Sequence, residues 1–465
     1  MALPVARVLP LLGLAHLDRE FDYLVPDDLD EVAQPGVRVR VRFAGRLVDG
    51  FLLERLAHSD HPGKLGRLER VVSPERVLTA QILAVATAVA ARYAGTRGDV
   101  LRLAIPPRHA RVEQEPPGER ASVPVPAVRW SAYGHGDTFV AALAQGRAPR
   151  AAWQALPGED WPRRLAELAA VTAARGAGAL LIVPDQRDLD RVSAACTELA
   201  GDAAVGLAAG LGPTARYRRW LAVLRGTARV VVGTRSAVFA PVADLGLVAI
   251  WDDGDDTYAE PRAPYPHARE VALLRVHEAG AAFVAGGFAR TAETQALVES
   301  GWAHDLVAPR AVVRDRAPRI NAPGDSDIAL ERDPAPSARL PAVAFGAARE
   351  ALGADLPVLV QVPRRGYVPS LACAKCRTPA RCRHCHGPLA LPSQGGVPDC
   401  RWCGREDVTY RCPTCGSRAL RAQVVGAGRT AEELGRAFPG TRVHTSGGGD
   451  VLASVRGGAR VVVAT

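Results

Sequence analysis

Eight cysteines in four Cys-x-x-Cys pairs constrain the fold of this chain more than any other feature. The pairs are Cys373/Cys376, Cys382/Cys385, Cys400/Cys403 and Cys412/Cys415. One such pair presents two sulfurs to a tetrahedral ion, so four pairs supply two closed zinc sites of four cysteines each. Fourteen residues separate the second and third pairs, close to the usual zinc-ribbon spacer, whereas only five separate the first two. The spacing therefore predicts a nested arrangement.

The nested arrangement assigns four cysteines to each of two zinc ions. The inner site takes Cys382, Cys385, Cys400 and Cys403, and the outer site takes Cys373, Cys376, Cys412 and Cys415. His384 and His386 could compete as ligands, but a full cysteine set makes them bystanders. Four protein ligands leave an ion no open position for catalysis, so we expect a structural role. The ninth cysteine, Cys196, is expected to be a core residue.

Length and patterning limit the class of protein. A chain of 465 residues has room for about three domains. It contains no apolar run approaching ~20 residues and no secretory signal at its start. We therefore expect a cytoplasmic protein without a membrane partner, in which clustered cysteines bind metal instead of forming disulfides.

The net charge of +9 is concentrated around the cysteines. Residues 361–421 hold eleven Lys and Arg against three acids. Eight thiolates and two Zn²⁺ together contribute four negative charges, so about four positive charges remain for the surface. This surplus either faces the phosphates of a nucleic acid or merely neutralises the thiolates, and the sequence leaves both interpretations open.

Composition and periodicity divide the chain into three folded parts. Residues 1–110 begin with β-type runs such as Val37–Phe43, in which apolar and basic residues alternate, and end in a helix near 79–93. Residues 129–312 alternate helical patterns with short apolar strands, as a parallel α/β domain does. A second α/β part spans 342–465, with the cysteine region inserted at 371–418. The Pro-rich segments 111–128 and 313–341 are predicted linkers.

Several motifs resemble those of the PriA family of primosomal replication-restart proteins, in particular its actinobacterial members. They are REFDYLVP at 19–26, GDVL at 98–101, GTRSAVFAP at 233–241, PRRGY at 363–367 and the eight cysteines. The resemblance runs through nearly all of the chain. It implies a multidomain α/β fold: an N-terminal β-rich domain (1–110) that captures the 3′ end of DNA, then two RecA-like superfamily 2 helicase-type lobes. The second lobe carries an insertion that binds two zinc ions, each through four cysteines.

The same resemblance implies a DNA site and partners. Phe21, Asp22 and Tyr23 correspond to part of the pocket for the terminal nucleotide, where a ring would stack on a base beside a carboxylate. The structural alternative is that Phe21 and Tyr23 only pack the β core. The implied partners are forked DNA with a 3′ end, other primosome proteins and single-stranded DNA-binding protein. The chain departs from the family in having no room for a winged-helix domain, and it stops within the second lobe, so we expect a shortened member.

The motor motifs of the family are degenerate in this sequence. Nucleotide binding needs Gly-x-x-x-x-Gly-Lys-Ser/Thr, but residues 156–162 read LPGEDWP, with Trp161 in place of the lysine and Pro162 in place of the hydroxyl. The Asp-Glu-x-His box is replaced by WDDG at 251–254, and the Gly-Ser-Ala-Thr motif by GGFA at 286–289. Lys64 and Lys375 are the only lysines in the chain, and neither has the neighbours of a phosphate-loop lysine.

These observations predict a fork-binding replication-restart protein that assembles the primosome without helicase activity, with two zinc ions and no bound ATP. Two alternatives remain. One is an active ATP-dependent 3′–5′ DNA helicase, and the other is a zinc-ribbon factor that docks on replication proteins. A preference for forks with a free 3′ end would separate the fork-binding protein from the docking factor.

Overall fold

A computed structural model describes residues 3–208, 210–320, 340–363, 366–447, 450–452 and 454–465. The chain forms two compact units, Met1–Arg319 and Ile320–Thr465. Most of the 313–341 linker, as well as Arg364 and Arg365 of the PRRGY motif, lies outside the described residues. No helix in the described ranges is long and apolar enough to cross a bilayer.

The first unit begins with a closed five-stranded β-barrel. Its strands are β1 (Val5–Pro10), β2 (Phe21–Leu24), β3 (Val37–Phe43), β4 (Arg46–Leu56) and β5 (Gly66–Arg76), and they close in the order β1-β2-β5-β3-β4. Val37, Val39 and Val41 are fully buried. Because successive side chains on a strand point to opposite faces, the arginines between these valines lie outside the barrel core. The alternating pattern at 37–43 thus coincides with β3.

Three helices follow the barrel: α1 (Ala80–Arg92), α2 (Arg97–Ala104) and α3 (Ala110–Glu113). Threonine side chains cap the first two. Thr79 accepts a hydrogen bond from the backbone N–H of Ile82 at 3.2 Å, and Thr96 accepts one from Asp99 at 3.1 Å. Such caps satisfy backbone donors that have no partner within the helix.

The rest of the first unit is a seven-stranded parallel sheet with helices. Its strands are β6 (Arg150–Gln154), β7 (Gly178–Ile182), β8 (Ala204–Leu207), β9 (Val230–Gly233), β10 (Leu245–Trp251), β11 (Ala282–Gly287) and β12 (His304–Leu306), in the order β12-β6-β11-β10-β7-β9-β8. The helices are α4 (Gly136–Ala144), α5 (Trp161–Ala174), α6 (Gln186–Ala200), α7 (Pro213–Leu224), α8 (Ala268–Ala279), α9 (Ala292–Glu299) and α10 (Arg310–Arg316). All residues of β7, β9, β10 and β11 are buried, as expected for a parallel sheet covered on both faces.

One carboxylate ties the barrel to this sheet domain within the first unit. Glu113 accepts hydrogen bonds from Ser73 of β5 at 2.8 Å, from Arg108 at 2.7 Å and from the hydroxyl of Tyr217 on α7 at 2.6 Å. Hydrogen bonds to a charged acceptor are worth about 1.5–3 kcal/mol each. The barrel is therefore held to the sheet domain by specific polar contacts.

The second unit carries a small parallel sheet with an inserted cysteine module. Helix α11 (Ala342–Gly353) precedes strands β13 (Pro357–Gln361), β18 (Arg442–Ser446) and β19 (Arg460–Ala464), which pair in the order β13-β19-β18, and α12 (Ala427–Ala437) precedes β18. The module holds two antiparallel pairs, β14 (Ser370–Cys373) with β17 (Leu420–Val424) and β15 (Leu389–Ala390) with β16 (Asp399–Cys400). The predicted class, an α/β multidomain chain with a β-rich N-terminal domain and a cysteine-rich insertion, is confirmed.

Candidate metal centre and nucleic-acid interface

The fold of the second unit gathers the eight cysteines into two groups of four. In each group the sulfur atoms all lie within 4.8 Å of one another. The groups are the same two nested sets that the spacing predicts: Cys373, Cys376, Cys412 and Cys415, and Cys382, Cys385, Cys400 and Cys403. The pairing of β14 with β17 closes the outer group, and that of β15 with β16 closes the inner one.

The sulfur separations fit a tetrahedral ion. A Zn–S bond of about 2.3 Å in tetrahedral geometry places two sulfurs about 3.8 Å apart. The Sγ atoms are 3.5 Å apart in Cys373 and Cys415, and 3.8 Å apart in Cys382 and Cys403. A disulfide would need about 2.05 Å. The donor set therefore suits a thiolate-preferring metal ion, and four ligands in each group leave no position for a reacting water.

Backbone N–H groups favour the thiolate form that binds metal. The N–H of Cys376 lowers the pKa of Cys373, and the N–H of Cys385 lowers that of Cys382. In the inner group, the hydrogen bond from the N–H of Cys403 lowers the pKa of Cys400 to about 6. Since only the thiolate coordinates metal, the turn of each pair prepares its first sulfur for binding.

All four Cys-x-x-Cys turns use a left-handed residue directly after the second cysteine. These residues are Arg377 (φ 63°), His386 (φ 60°), Gly404 (φ 71°) and Gly416 (φ 71°). Each donates its backbone N–H to the carbonyl of the first cysteine, for example His386 to Cys382 at 2.9 Å. Glycine adopts this conformation without steric cost, whereas other residues lose about 1–2 kcal/mol. His386 thus occupies a turn position, and neither group of sulfurs includes it or His384.

We expect His386→Gly to stabilise the module by about 0.5–1 kcal/mol, because the relief of left-handed strain exceeds the added freedom of glycine in the unfolded chain. The measurement is the chelator concentration that removes half of the bound metal. The matched control is His384→Gly, at a position outside the left-handed region, which should weaken the module instead. Loss of one metal ion from the His386 variant would contradict its assignment as a turn residue.

The module exposes arginines on its surface. Arg377, Arg381, Arg401, Arg405, Arg411 and Arg418 are all exposed. Within the ranges that the structure covers, none of the six forms an ion pair, whereas Arg383 pairs with Asp407. The charges of these six arginines are therefore not neutralised by ion pairs with acidic residues in the described ranges.

The structure places Phe21, Asp22 and Tyr23 on β2, but on two faces of the barrel wall. Tyr23 belongs to the barrel core, where its hydroxyl donates to the carbonyl of Arg42 at 3.3 Å. Phe21 packs against the same core and meets Phe43 edge to face, with ring centroids 5.0 Å apart. The guanidinium of Arg19 lies 4.9 Å from the centre of the Phe21 ring. Asp22 lies on the opposite face, since strand residues alternate.

The carboxylate of Asp22 is held by two donors that the sequence did not predict. Arg7 of β1 donates through Nε at 3.1 Å, and the hydroxyl of Ser59 donates at 2.6 Å. Burial alone would raise the pKa of Asp22, but the hydrogen bonds from Ser59 and Arg7 outweigh it and hold the pKa below its ordinary value. Asp22 is thus an ionised acceptor near neutral pH. No local sequence pattern predicts that Arg7 and Ser59 contact Asp22, because strand pairing and loop closure bring them to it.

Aromatic residues occupy the region after β6 where a phosphate loop would lie. Trp161, the first residue of α5, stacks on Trp251 at the end of β10, with ring centroids 4.1 Å apart and planes 4° from parallel. Trp153 packs against Trp251 at 5.5 Å. All three tryptophans are at most 4% exposed. Trp161, which stands in the sequence where the phosphate-loop lysine is expected, thus belongs to a packed aromatic core.

Carboxylates take the remaining positions of this loop. The side chain of Asp160 caps α5 by accepting the N–H of Arg163 at 3.3 Å. Glu159 accepts the hydroxyl of Tyr133 at 2.5 Å and Nε of Arg164 at 3.1 Å. The amino end of a helix attracts anions, so a built-in carboxylate at this end competes with a bound phosphate.

The acid of the second motor box is engaged within the protein. Asp253 is 4% exposed, and its Oδ2 accepts Arg269 at 3.0 Å, Thr291 at 2.8 Å and Thr294 at 2.9 Å. With three donors on this oxygen, the carboxylate supports the packing of α8 and α9. The neighbouring Asp252 is more accessible, but partial desolvation of its carboxyl, together with the negative charges of Asp255 and Asp253, raises its pKa.

Comparisons with known proteins follow the same division of the chain. The model of the PriA 3′ DNA-binding domain matches residues 8–106, which include α1, α2 and the barrel apart from the first three residues of β1. The "Probable replication restart protein PriA" of Mycobacterium bovis is 63% identical over 463 residues, covering 98% of this chain and 70% of that protein. The Mycobacterium leprae protein of the same name is 60% identical over 466 residues, covering 98% and 71%.

A more distant relative shows how far the likeness extends. The "Replication restart protein PriA" of Bacillus subtilis is 26% identical over 272 residues, which cover 58% of this chain and 33% of that protein. Among solved structures, the DEAH/RHA helicase HrpB of Escherichia coli aligns with 71% of this chain at 12% identity and a TM-score of 0.35. The mycobacterial relatives are similar over nearly the whole chain, and on that evidence the chain belongs to the PriA family of replication restart proteins.

Proposed function

We propose that this protein binds DNA forks with a free 3′ end through its N-terminal barrel and supports replication restart by binding, without ATP-driven unwinding. The proposal of DNA binding is supported by the match of residues 8–106 to a 3′ DNA-binding domain. The proposal that ATP does not drive unwinding is supported by the stacking of Trp161 on Trp251, where a nucleotide phosphate would bind in an active motor. Forked DNA and the primosome proteins that the family resemblance implies are the proposed partners.

Asp22 is the acceptor we assign to the DNA end. A 3′-terminal hydroxyl is a hydrogen-bond donor, and an ionised carboxylate is the side chain best suited to accept from it. Asp22 is already oriented by Arg7 and Ser59, so little ordering is needed when DNA binds. The ring of Phe21 is half-buried, and Arg19 covers it, so stacking of a base on Phe21 requires Arg19 to move. Tyr23 acts through the barrel core.

The metal sites take two zinc ions with a structural role. Eight thiolates at the separations described above suit zinc, which accepts four cysteines in tetrahedral geometry. The exposed arginines of the module retain their charge beside these ions. None of the six is paired with an acid in the described ranges, so all are available to DNA phosphates.

We expect Asp22→Asn to weaken binding to forks with a free 3′ hydroxyl by about tenfold, since a hydrogen bond to a charged group is worth about 1.5–3 kcal/mol. Binding to forks whose 3′ end is blocked should change little. The combined change Phe21→Ala with Asp22→Ala should add the loss of stacking, roughly 1–3 kcal/mol per base. Fluorescence anisotropy on the two forks measures the difference.

A matched control for Asp22 is Asp49→Asn, which removes an exposed carboxylate of β4 that pairs with Arg40 of the same barrel. This variant should bind both forks as the unaltered protein does. Equal weakening of both forks by the Asp22 variants would mean that Asp22 and Phe21 only support the barrel. If the unaltered protein showed no preference for forks over linear duplex, the docking-factor alternative would stand instead.

A further inference from the structure

A cleft of about 230 Å³ lies in the first unit, and none of its lining residues belongs to β2. Its walls come from α2 and the prolines after it, from α7, and from the segment that follows β9. The polar residues that line it are Arg102, Arg216, Arg235, Ser236, Glu260 and Arg262. Arg235 lies two residues beyond the carboxyl end of β9, and the carboxyl ends of parallel strands are where open α/β sheets bind ligands.

The cleft carries more positive than negative charge. Glu260 is 6% exposed, and its carboxylate accepts Nε of Arg235 at 3.0 Å and Nε of Arg262 at 3.1 Å. Arg102 pairs with Asp99 at 2.9 Å. Four guanidinium groups therefore meet one carboxylate in the lining, Glu260, and one outside it, Asp99. The excess of two positive charges has no protein counter-ion in the lining of the cleft.

The cleft also offers hydrogen-bond donors that the protein does not use. In the described part of the chain, the side chains of Arg216 and Ser236 have no hydrogen-bond partner. Both residues also line a small adjoining cavity with Trp220, whose buried Nε1–H is unpaired as well. Arg216 and Ser236 are half-buried, so their donors are free to bind an acceptor from outside the protein.

We propose that this cleft binds a backbone phosphate of a nucleic-acid strand. A phosphate supplies several acceptor oxygens and the negative charge that the four arginines lack, and guanidinium groups pair with it in bidentate geometry. Arg216 is the principal contact, since it is the one lining arginine without a partner among the described residues. The inference rests on the proposed DNA binding and adds a contact that is independent of the 3′ end.

The first test uses single-stranded DNA with a blocked 3′ end, so that the site around Asp22 does not contribute. Arg216→Ala should weaken binding about five- to tenfold at low salt. It should also reduce the magnitude of the slope of log affinity against log salt concentration by about 0.7, the change expected when one phosphate contact on a single strand is lost. The control is Arg147→Ala, which removes an exposed arginine beyond the end of α4 and should change neither quantity. Equal affinity and slope for the Arg216 and Arg147 variants would overturn the proposal.

Two further measurements separate other outcomes. Arg216→Gln keeps the apolar stem and a donor but removes the charge, so it should reproduce the shallower salt dependence even if the alanine variant folds poorly. Inorganic phosphate tests whether a free anion is the ligand. Phosphate would then raise the melting temperature of the unaltered protein but not that of Arg216→Gln. If the two proteins also bound DNA with the same affinity, the nucleic-acid assignment would be wrong. Because Asp22→Asn leaves blocked DNA unaffected, failure of this contact is distinguishable from failure of the proposed 3′-end site.

Discussion

Cys400→Ser should release one of two zinc ions and unfold the inner part of the cysteine module, while the barrel remains folded. A structural zinc site contributes its binding free energy directly to folding, about 10–16 kcal/mol in zinc-finger peptides near neutral pH. The small module core, which includes Val368, Leu371 and Leu389, is too limited to replace that energy. Elemental analysis should find two zinc ions in the reduced, unaltered protein and one in the variant. Hydrogen exchange should rise within 371–418 and stay unchanged within 5–76.

The matched control is Cys196→Ala, in a helix of the first unit. Cys196 is 1% exposed, and burial raises the pKa of its thiol to about 12, so it is a core thiol unsuited to metal binding. This variant should keep both zinc ions. One or no zinc in chelator-free, reduced, unaltered protein would refute the two-site assignment, and normal exchange within 371–418 after the loss of Cys400 would refute the structural role.

The cysteine groups could be predicted from local spacing because the two sulfurs of a Cys-x-x-Cys turn are brought together within four residues. The only further inference needed was which two of the four turns share an ion. The left-handed residues could be predicted only in part. Gly404 and Gly416 are visible in the sequence as turn residues, whereas Arg377 and His386 take the same conformation against their own preference. The turn hydrogen bond to the first cysteine imposes it. The hydrogen-bonded turn thus overrides local propensity at two of the four turns.

The site on β2 was predictable in identity but not in geometry. The motif that carries Phe21, Asp22 and Tyr23 implies a role in DNA binding, and strand alternation alone already separates Asp22 from the two rings. What the sequence could not provide is the pair Arg7 and Ser59, which reach Asp22 from residues 15 and 37 positions away. Contacts at that separation depend on the closure of the barrel, for which no local pattern exists.

The isolated chain should show no DNA-stimulated ATPase activity, and therefore no ATP-driven unwinding. The two lysines of the chain, Lys64 and Lys375, lie in the N-terminal region and in a cysteine turn, and neither has the sequence neighbours of a phosphate-loop lysine. In that loop the carboxylates of Glu159 and Asp160 repel phosphate. Asp253 is committed to Arg269, Thr291 and Thr294, which leaves Mg²⁺ without its usual carboxylate. The measurement is phosphate release in the presence and absence of forked DNA.

A double change at the second motor box distinguishes a contaminant from a live motor. Hydrolysis that rises with forked DNA and survives Asp252→Ala with Asp253→Ala would come from another protein in the preparation. Hydrolysis abolished by the double change would establish the helicase alternative. Because Asp253 also supports packing, the unfolding temperature of the double variant must be measured alongside. Asp253→Asn provides a further variant that keeps one acceptor oxygen but removes the charge.

The aromatic stack offers an independent check on the same conclusion. Trp161→Ala opens a cavity beneath Trp251 and should cost about 3–5 kcal/mol of the free energy of unfolding, as the loss of a buried tryptophan does. In an active motor, by contrast, the residue at this position touches nucleotide, and its loss affects turnover more than stability. If the Trp161 variant unfolds at a clearly lower temperature and still binds no nucleotide, the stacked rings are part of the core. Removal of one ring would then not restore a nucleotide pocket. A variant that keeps its stability and gains nucleotide binding would show that Trp161 only covers a site whose other groups remain competent.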